Sequence, residues 1–418
     1  MAGRSMLTRR HWLRQSAGLA GGMLGAAATV GVAQLARAQA GKPFTMSYGW
    51  VPWAAGNSPI TQYMISKKLM EKYAAEFGYE LTMDYRAYPA AAPQVDALAA
   101  GQLDMAMWGN TPTLRAIVAK LPFSLVSVAE GRLRFLLCTR KDSLIRNVQD
   151  LKGKTVGTLV GADPYNAFTQ ILRYELGNPD PAAHGIRMVH LPTLPEAAQV
   201  PSGVDATLAV YPAFLKAQAT GLGTVAIMNS YGYTEAHYDG PAGKGAGILL
   251  PSVKNSPFYP DGYYLHRSFR VVHNRLVEKH PNLVLAFLLA QQEAVSVLSE
   301  ADPGAVSQLV KSYWGLSPAD GAKVVRDEVV FRRGWAWSTE GDALSLLATG
   351  KMMAGARIIP EPVSWAQIKS VFVQTAPVVR QAYDRVGAKP AIAEFQSAKV
   401  GDLRGLPSWE MQRWKDRT

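Results

Sequence analysis

The chain has 418 residues, of which 48% are hydrophobic and 18% charged, with a formal net charge of +12 and a single cysteine. This composition is typical of a soluble globular protein that is long enough for two domains of roughly 150–200 residues each. A single cysteine excludes a disulfide within the chain and any zinc site that needs two cysteine ligands. Cys138 lies in the apolar run RFLLCTR, which predicts a buried structural thiol.

The first forty residues predict an export signal. They contain five arginines and no acidic residue, followed by a Gly/Ala-rich apolar run from Ala17 to Leu35 and the cleavage pattern Ala38-Gln39-Ala40. The stretch TRRHWLRQ (Thr8–Gln15) resembles a twin-arginine signal; an ordinary signal with a chance arginine pair is the alternative. We therefore expect a periplasmic protein, cleaved after Ala40. Without those five arginines the net charge falls from +12 to +7, and the remaining basic residues are scattered, which argues against a nucleic-acid partner.

Strand and helix patterns alternate along the first part of the mature chain. Apolar runs predict strands at Phe44–Trp50, Tyr79–Arg86, Leu103–Trp108 and Phe123–Ala129. The predicted helices between them are Ser58–Phe77, Pro93–Ala100 and Pro112–Ala119, the last with Thr111 as N-cap and Pro112 as its first residue. This order implies a mostly parallel sheet covered by helices.

A second alternating series begins at RFLLCTR, and helices follow it. Two stretches share one layout, ALAAGQLDMAMWGNTP in the first series and QVPSGVDATLAVYPAF in the second, which suggests two related lobes; chance similarity is the alternative. Beyond the strand in SFRVVHN, helical patterns continue as five segments: Leu276–Leu298, Gly304–Trp314, Pro318–Val330, Ser338–Ala354 and Ser364–Val386.

Four segments carry a resemblance to a known family. AGQLDMAMWGNTP, DLKGKTVG (Asp150–Gly157), GVDATLAVYPAF and VVHNRLVEKHPNLVLAFLLAQQEAV occur in the order found in periplasmic substrate-binding proteins of ABC importers. The chain resembles the nitrate/sulfonate/taurine group of that family over roughly residues 43–300. The resemblance implies an α/β fold with two lobes, the type II periplasmic binding protein fold, and a helical C-terminal extension.

The resemblance also implies an organisation and a set of partners. We expect a signal peptide at 1–40, the first part of lobe 1 at 41–131, lobe 2 at 132–245, the return to lobe 1 with the C-terminal helices at 246–385, and a surface tail at 386–418. The expected partners are a small organic anion such as a sulfonate, and the permease and ATPase of an inner-membrane transporter. We expect a monomer, with no cofactor and no metal.

Four loops at strand ends should converge on the cleft between the lobes. Helix N-termini in three of them present free N–H groups that suit an anionic head group, and aromatic side chains could form flat apolar walls. Asp163 departs from this pattern, because a carboxylate that caps the helix takes part of the donor set that a sulfonate would use; pairing of Asp163 with a cationic or hydroxylated ligand is the alternative. The candidate ligand-binding residues are Trp53, Asn57, Ser58, Trp108, Gly109, Asn110, Thr111, Gly161, Ala162, Asp163, Tyr165 and Tyr211.

Three acidic residues in the matching segments have structural interpretations. Asp104 and Asp205 sit at strand starts, at the end opposite the ligand, where we expect hydrogen bonds to turns or caps. Asp150 is expected to cap a turn before Gly153, which permits a positive φ.

Two alternatives remain open. One is an enzyme on the same fold, such as a sulfinate desulfinase, although the first strand-end loop, GWVPWAAGN, lacks the nucleophilic cysteine that such an enzyme needs. The other is a module that senses a ligand in the same cleft and signals to a receptor.

Overall fold

A computed structural model describes residues 41–128, 135–222, 224–229, 264, 266–328, 337–386 and 406–416. The predicted export signal therefore lies outside the described residues. So do most of the segments that would cross between the two lobes, at 129–134 and 230–263.

Within the described residues, ten strands form two five-stranded mixed sheets. The strands are β1 (Lys42–Trp50), β2 (Tyr79–Ala87), β3 (Met105–Trp108), β4 (Phe123–Val128), β5 (Phe135–Arg140), β6 (Thr155–Thr158), β7 (Arg187–His190), β8 (Ala206–Val210), β9 (Thr224–Asn229) and β10 (Phe269–His273). The first sheet has the order β2-β1-β3-β10-β4 and the second the order β7-β6-β8-β5-β9. In each sheet one strand, β10 or β5, runs antiparallel to both of its neighbours. The mostly parallel sheets expected from the sequence are thus confirmed.

Helices cover these sheets and make up most of the C-terminal part. They are α1 (Asn57–Ser66), α2 (Leu69–Ala75), α3 (Ala92–Ala99), α4 (Asn110–Val118), α5 (Asp163–Leu176), α6 (Leu194–Ala197), α7 (Tyr211–Ala219), α8 (Asn274–Lys279), α9 (Pro281–Leu298), α10 (Pro303–Gln308), α11 (Lys311–Trp314), α12 (Pro318–Glu328), α13 (Glu340–Gly355), α14 (Trp365–Val373) and α15 (Ala376–Val386). Short 3-10 helices occupy Val148–Leu151, Pro181–His184 and Ser408–Arg413.

Two aspartates play equivalent parts in the two lobes. The carboxylate of Asp104, just before β3, accepts hydrogen bonds from the Ser47 amide and hydroxyl on β1, both at 2.9 Å. The carboxylate of Asp205, just before β8, accepts one from the Thr155 amide on β6 at 2.8 Å. Each bond ties the start of a strand to the neighbouring parallel strand. Both predicted structural roles are confirmed, and so is the similarity of the two lobes at this point.

The segment DLKGKTVG also has its expected geometry. Asp150 and Asn147 form a capping box at the Val148–Leu151 helix, and Gly153 has φ 73°. Gly153 therefore occupies the left-handed region that other residues adopt at a cost.

Several predicted helices are interrupted. The predicted helix Ser58–Phe77 is two helices, because Lys68 between them adopts a left-handed φ of 48°. His280 separates α8 from α9, since the residue before Pro281 is driven out of the helical region. Thr375 separates α14 from α15, and its hydroxyl donates to the Leu125 carbonyl on β4.

The C-terminal segments are part of the core. Trp414, in the described portion of the tail, is 4% exposed and packs against Trp365 and Phe372. Among the described helices, α9 is long and apolar enough to cross a membrane by length and composition, yet 72% of it is buried inside the protein. Burial of this extent is typical of the core helix of a globular protein.

Candidate ligand-binding cleft

A cavity of about 390 Å³ lies where the two lobes meet. Lobe 1 contributes Val51, Ala54 and Met107, which follow or end its strands, and the beginning of α4. Lobe 2 contributes Phe135, Leu159 and Val210 and the beginning of α5. The segment that leads into β10 adds His266 and Ser268. The walls are therefore mainly apolar, and the polar groups are few, as in most small-molecule sites.

Asp163 crosses the cleft to the N-terminus of α4. Its Oδ1 accepts a hydrogen bond from the Thr111 amide at 2.8 Å and another from the Tyr264 hydroxyl at 2.5 Å. Its Oδ2 lies 3.7 Å from Nε2 of His266. A carboxylate from lobe 2 thus fills the position at which the sequence predicted that an anionic ligand would meet the helix dipole of lobe 1.

The surroundings of Asp163 keep its carboxylate charged. Burial by itself raises the pKa of this carboxyl, but the neighbouring imidazole of His266, the Tyr264 hydroxyl and the Thr111 amide outweigh burial and hold the pKa below its ordinary value. Burial and the carboxylate of Asp163 together raise the pKa of Tyr264 well above its ordinary value, so this phenol stays protonated as a donor.

Gly109 permits the close approach of these groups. A Cβ atom at this position would lie 1.9 Å from Oδ2 of Asp163 and 2.6 Å from Nε2 of His266. The requirement for glycine is therefore steric. It is not conformational, since the φ of −83° at this position is available to any residue.

The start of α4 differs from the prediction. The helix begins at Asn110 with Gly109 as N-cap, and no side chain of its own caps it. Thr111 and Pro112 therefore lie inside the first turn, and the predicted N-cap role of Thr111 is wrong. The physical reason is an acceptor from the other lobe. Because the Thr111 amide donates its hydrogen bond to Asp163, the helix needs no cap from its own side chains.

Four predicted site residues line the cavity, namely Gly109, Gly161, Ala162 and Asp163. Gly161 has φ 83°, and its carbonyl accepts a hydrogen bond from Nη1 of Arg115 on α4 at 3.2 Å, a second link between the lobes. The loop before α5 therefore faces the cleft as expected.

Other predicted polar residues are engaged in holding the loops. The hydroxyl of Ser58 donates to carbonyls of the loop after β1, including Pro52 at 2.6 Å, and Asn57 beside it is buried. The Oδ1 of Asn110 accepts from the Arg267 amide at 2.7 Å, and its Nδ2 donates to Thr349. These bonds fix the backbone around the cavity; contact of the three side chains with a ligand stays a prediction.

The four predicted aromatic residues are placed differently from one another. Trp108 is fully buried, packs against Phe123 and belongs to the core of lobe 1. Tyr211 is fully buried and stacks on Phe214. Trp53 and Tyr165 are half-buried, and the ammonium of Lys216 lies 5.4 Å from the Trp53 ring centroid. Only the half-buried pair has surface that the protein leaves uncovered.

No sequence motif marks His266 or Ser268 as a site residue. Both side chains line the cavity and are at least 95% buried, with Nδ1 of His266 and the Ser268 hydroxyl having no hydrogen-bond partner in the part of the chain that the structure describes. They lie in the segment that returns to lobe 1, outside every motif of the resemblance. Their position before β10, the strand that pairs with Trp108 at the end of β3, brings them to the cleft.

The described residues contain no group of three or more His, Cys, Asp or Glu side chains that could hold a metal ion. Cys138 is fully buried in β5, and burial raises the pKa of its thiol. The predicted buried structural thiol is confirmed.

The fold can now be compared with known proteins. Residues 56–175 match the family of periplasmic substrate-binding proteins of phosphonate ABC transporters. The alkanesulfonate-binding protein SsuA from Xanthomonas axonopodis pv. citri, solved bound to MOPS, is 18% identical and superposes with a TM-score of 0.59 over 78% of this chain and 98% of that one. The chain has the periplasmic binding protein fold. No curated protein sequence matches it.

Other proteins with the binding-protein fold show how widely it is used. The periplasmic nitrate-binding protein NrtA from Synechocystis PCC 6803 is 13% identical, with a TM-score of 0.55 over 83% of this chain and 90% of that one. The desulfurization enzyme DSZB is 16% identical, with a TM-score of 0.50 over 82% of this chain and 99% of that one. The resemblance seen in the sequence motifs is thus confirmed at the level of the fold, which by itself does not distinguish binding from catalysis.

Proposed function

We propose that the chain is the solute-binding component of an ABC importer, which captures a small organic solute between its lobes and delivers it to the permease. One observation carries this proposal: a largely apolar cavity of about 390 Å³ is lined by both lobes of a binding-protein fold, and its lining includes buried polar atoms of His266 and Ser268 that have no hydrogen-bond partner among the described residues. Closure of two lobes around a solute is how such folds convert binding into a shape that a partner can recognise.

The ligand class predicted from the sequence is an organic anion, either a sulfonate or a related organic acid. The matched family and two of the similar structures are described as binding phosphonate, alkanesulfonate and nitrate, which supports that choice. The geometry restricts it, because Asp163 already occupies the N-terminus of α4. An anion would therefore have to bind away from this carboxylate, where Arg115 is the cationic side chain among the residues that line the cavity.

A thermal-shift screen of sulfonates, carboxylates, amines and alcohols tests solute capture. A ligand present at about 100 times its dissociation constant adds about 2.7 kcal/mol to the free energy of unfolding. A hit should also stimulate ATP hydrolysis by the cognate transporter reconstituted in vesicles. A panel in which no compound of any class raises the melting temperature contradicts the proposal.

Export and oligomeric state belong to the same proposal. We propose that the protein is a periplasmic monomer that begins at Gly41 after cleavage. N-terminal sequencing of the periplasmic fraction and size-exclusion chromatography with light scattering test both statements.

An enzyme on the same fold is the alternative, because DSZB shares the fold. The buried Cys138 offers no reactive thiolate, since burial raises the pKa of its thiol and its Sγ lies against the Leu136 carbonyl. Release of sulfite from a sulfonate or sulfinate would favour the enzyme. A ligand that binds tightly but never stimulates a transporter would favour a sensory module.

A further inference from the structure

The cavity between the lobes continues as a groove along two helices of lobe 1. Its lining includes, from α3, Ala92, Val95 and Ala99 and, from α4 and the residue that ends it, Pro112, Ala116 and Ala119. Within each set the residues are three, four or seven positions apart, which places them on one face of their helix. The groove is therefore bounded by one face of α3 and one face of α4.

The topology of the first sheet sets these two helices side by side. The strands β2, β3 and β4 are parallel to one another, so α3 and α4 both begin at the carboxyl ends of strands, which is where the cleft lies. Residues of both helices belong to the same core cluster, on one face of the sheet. Ala92 and Pro112 thus lie at the cleft end of the groove, and Ala99 and Ala119 lie at its far end. Seven helical residues rise about 10 Å, which gives the approximate length of the groove.

Small apolar side chains leave this groove open. Val95 is half-buried, and Ala99 and Ala119 are exposed at the far end, where a larger side chain would occupy the space. Two charged residues, Asp96 and Arg115, also line the groove, but both are exposed, and Nη1 of Arg115 donates to the Gly161 carbonyl of lobe 2 at 3.2 Å. An exposed apolar strip that is continuous with a ligand cavity is typical of a binding surface.

The same cavity contains buried polar atoms between the lobes. The Ser268 hydroxyl and Nδ1 of His266 have no hydrogen-bond partner among the described residues, and the two residues are at most 5% exposed. Unpaired buried polar atoms are costly, so a solute that brings a polar group to either of them gains binding energy there. One cavity therefore offers polar atoms between the lobes and an apolar groove leading away from them.

An unbranched chain fits this shape better than a compact body does. A ring or a branched group held between the lobes would leave the groove to water, whereas each methylene placed along the two helix faces removes apolar surface from water on both sides. The solute that uses the whole cavity consequently has a polar head and an extended apolar tail.

We infer that the solute carries an unbranched alkyl chain, which lies in the groove between α3 and α4 while its polar head stays between the lobes. This inference rests on the solute-binding function proposed above and narrows its ligand class to chain-bearing amphiphiles. It also assigns Val95, Ala99, Ala116 and Ala119 as residues that determine which chain lengths are accepted.

A series of probes that differ only in the apolar part tests the inference. Isothermal titration calorimetry would compare ethyl, butyl, octyl, dodecyl and benzyl sulfonates, and the corresponding alcohols, each below its critical micelle concentration. We expect affinity to rise at least about fiftyfold from ethyl to octyl, because each half-buried methylene contributes about twofold. Equal affinity along the series, or tighter binding of benzyl than of octyl, overturns the inference and leaves solute capture standing. No binding by any probe overturns both.

A double variant and a matched control assign the groove. Ala99→Leu combined with Ala119→Leu fills the far end, and both positions are exposed, so the unliganded melting temperature should stay the same. We expect this variant to bind the dodecyl probes about tenfold or more weakly and the ethyl probes as wild type does. Ala100→Leu is the control, because Ala100 is exposed beside Ala99 but is not among the residues that line the cavity. It should leave all affinities unchanged.

Two results would overturn the assignment of the groove. One is wild-type affinity of the double variant for the dodecyl probes. The other is a dimer of the wild-type chain in light scattering that the double variant abolishes, since the groove would then receive a second copy of the protein.

Discussion

Removing the Asp163 carboxylate should loosen the contact between the lobes. In Asp163→Ala the Thr111 amide and the Tyr264 hydroxyl lose a buried acceptor, and each unpaired group costs about 1–3 kcal/mol. Loss of the charge at the N-terminus of α4 adds about 0.3–1 kcal/mol. The carboxylate no longer has to be desolvated, which offsets part of this cost. We therefore expect the free energy of unfolding to fall by about 2–4 kcal/mol.

Urea unfolding followed by tryptophan fluorescence measures this loss, with Asp163→Asn as the companion variant. Asparagine retains an acceptor oxygen, so Asp163→Asn should lower the free energy of unfolding by only about 1–2 kcal/mol, which reflects the lost charge. Because the folded pKa of Asp163 lies below its unfolded value, its contribution is complete above about pH 4 and is lost as the pH falls through the folded pKa. The difference between wild type and Asp163→Asn should thus be constant from pH 5 to 8 and shrink in acid. If Asp163→Ala is as stable as wild type at pH 7, the interlobe bonds contribute nothing net and the reasoning fails.

Three further variants test separate parts of the structure. Trp108→Ala should lower the free energy of unfolding by about 3–5 kcal/mol, because the ring is fully buried against Phe123; a small loss would return Trp108 to the ligand-facing wall. Gly109→Ala should lower the free energy of unfolding by about 1–3 kcal/mol, since its Cβ would displace Asp163. It should also weaken solute binding measured by isothermal titration calorimetry; wild-type affinity would show that the loop adjusts to the extra methyl group. Arg270→Met should match or exceed wild-type stability in urea by about 1–3 kcal/mol, because burial disfavours the charge of Arg270, lowering its pKa to about 9, and its Nε and Nη2 have no hydrogen-bond partner among the described residues. A large loss of stability at pH 7 would contradict this prediction.

Local sequence was sufficient for the strands and for the residues that tie them together. The runs at Phe44–Trp50 and Leu103–Trp108 are short and apolar and are bounded by turn residues, which specifies buried strands without reference to the rest of the chain. Asp104 and Asp205 could be assigned because each stands next to a strand start, where a carboxylate meets a neighbouring amide within the same lobe. Helix breaks were missed where their cause is a single backbone conformation, as at Lys68.

The chemistry of the cleft was decided by contacts between residues that are far apart in the chain. Asp163 was recognised from the sequence as a departure, but the sequence could not tell whether it caps its own helix or reaches another. It caps α4, 52 residues earlier in the chain, and that choice exists only once the lobes face each other. His266 carries no motif and becomes a cleft residue only because the returning segment enters the first sheet beside β3. Hydrophobic periodicity depends on residues that are close in sequence, so it can be read from the sequence alone. The electrostatic environment of a site depends on all residues that are close in space, and only the tertiary structure brings those together.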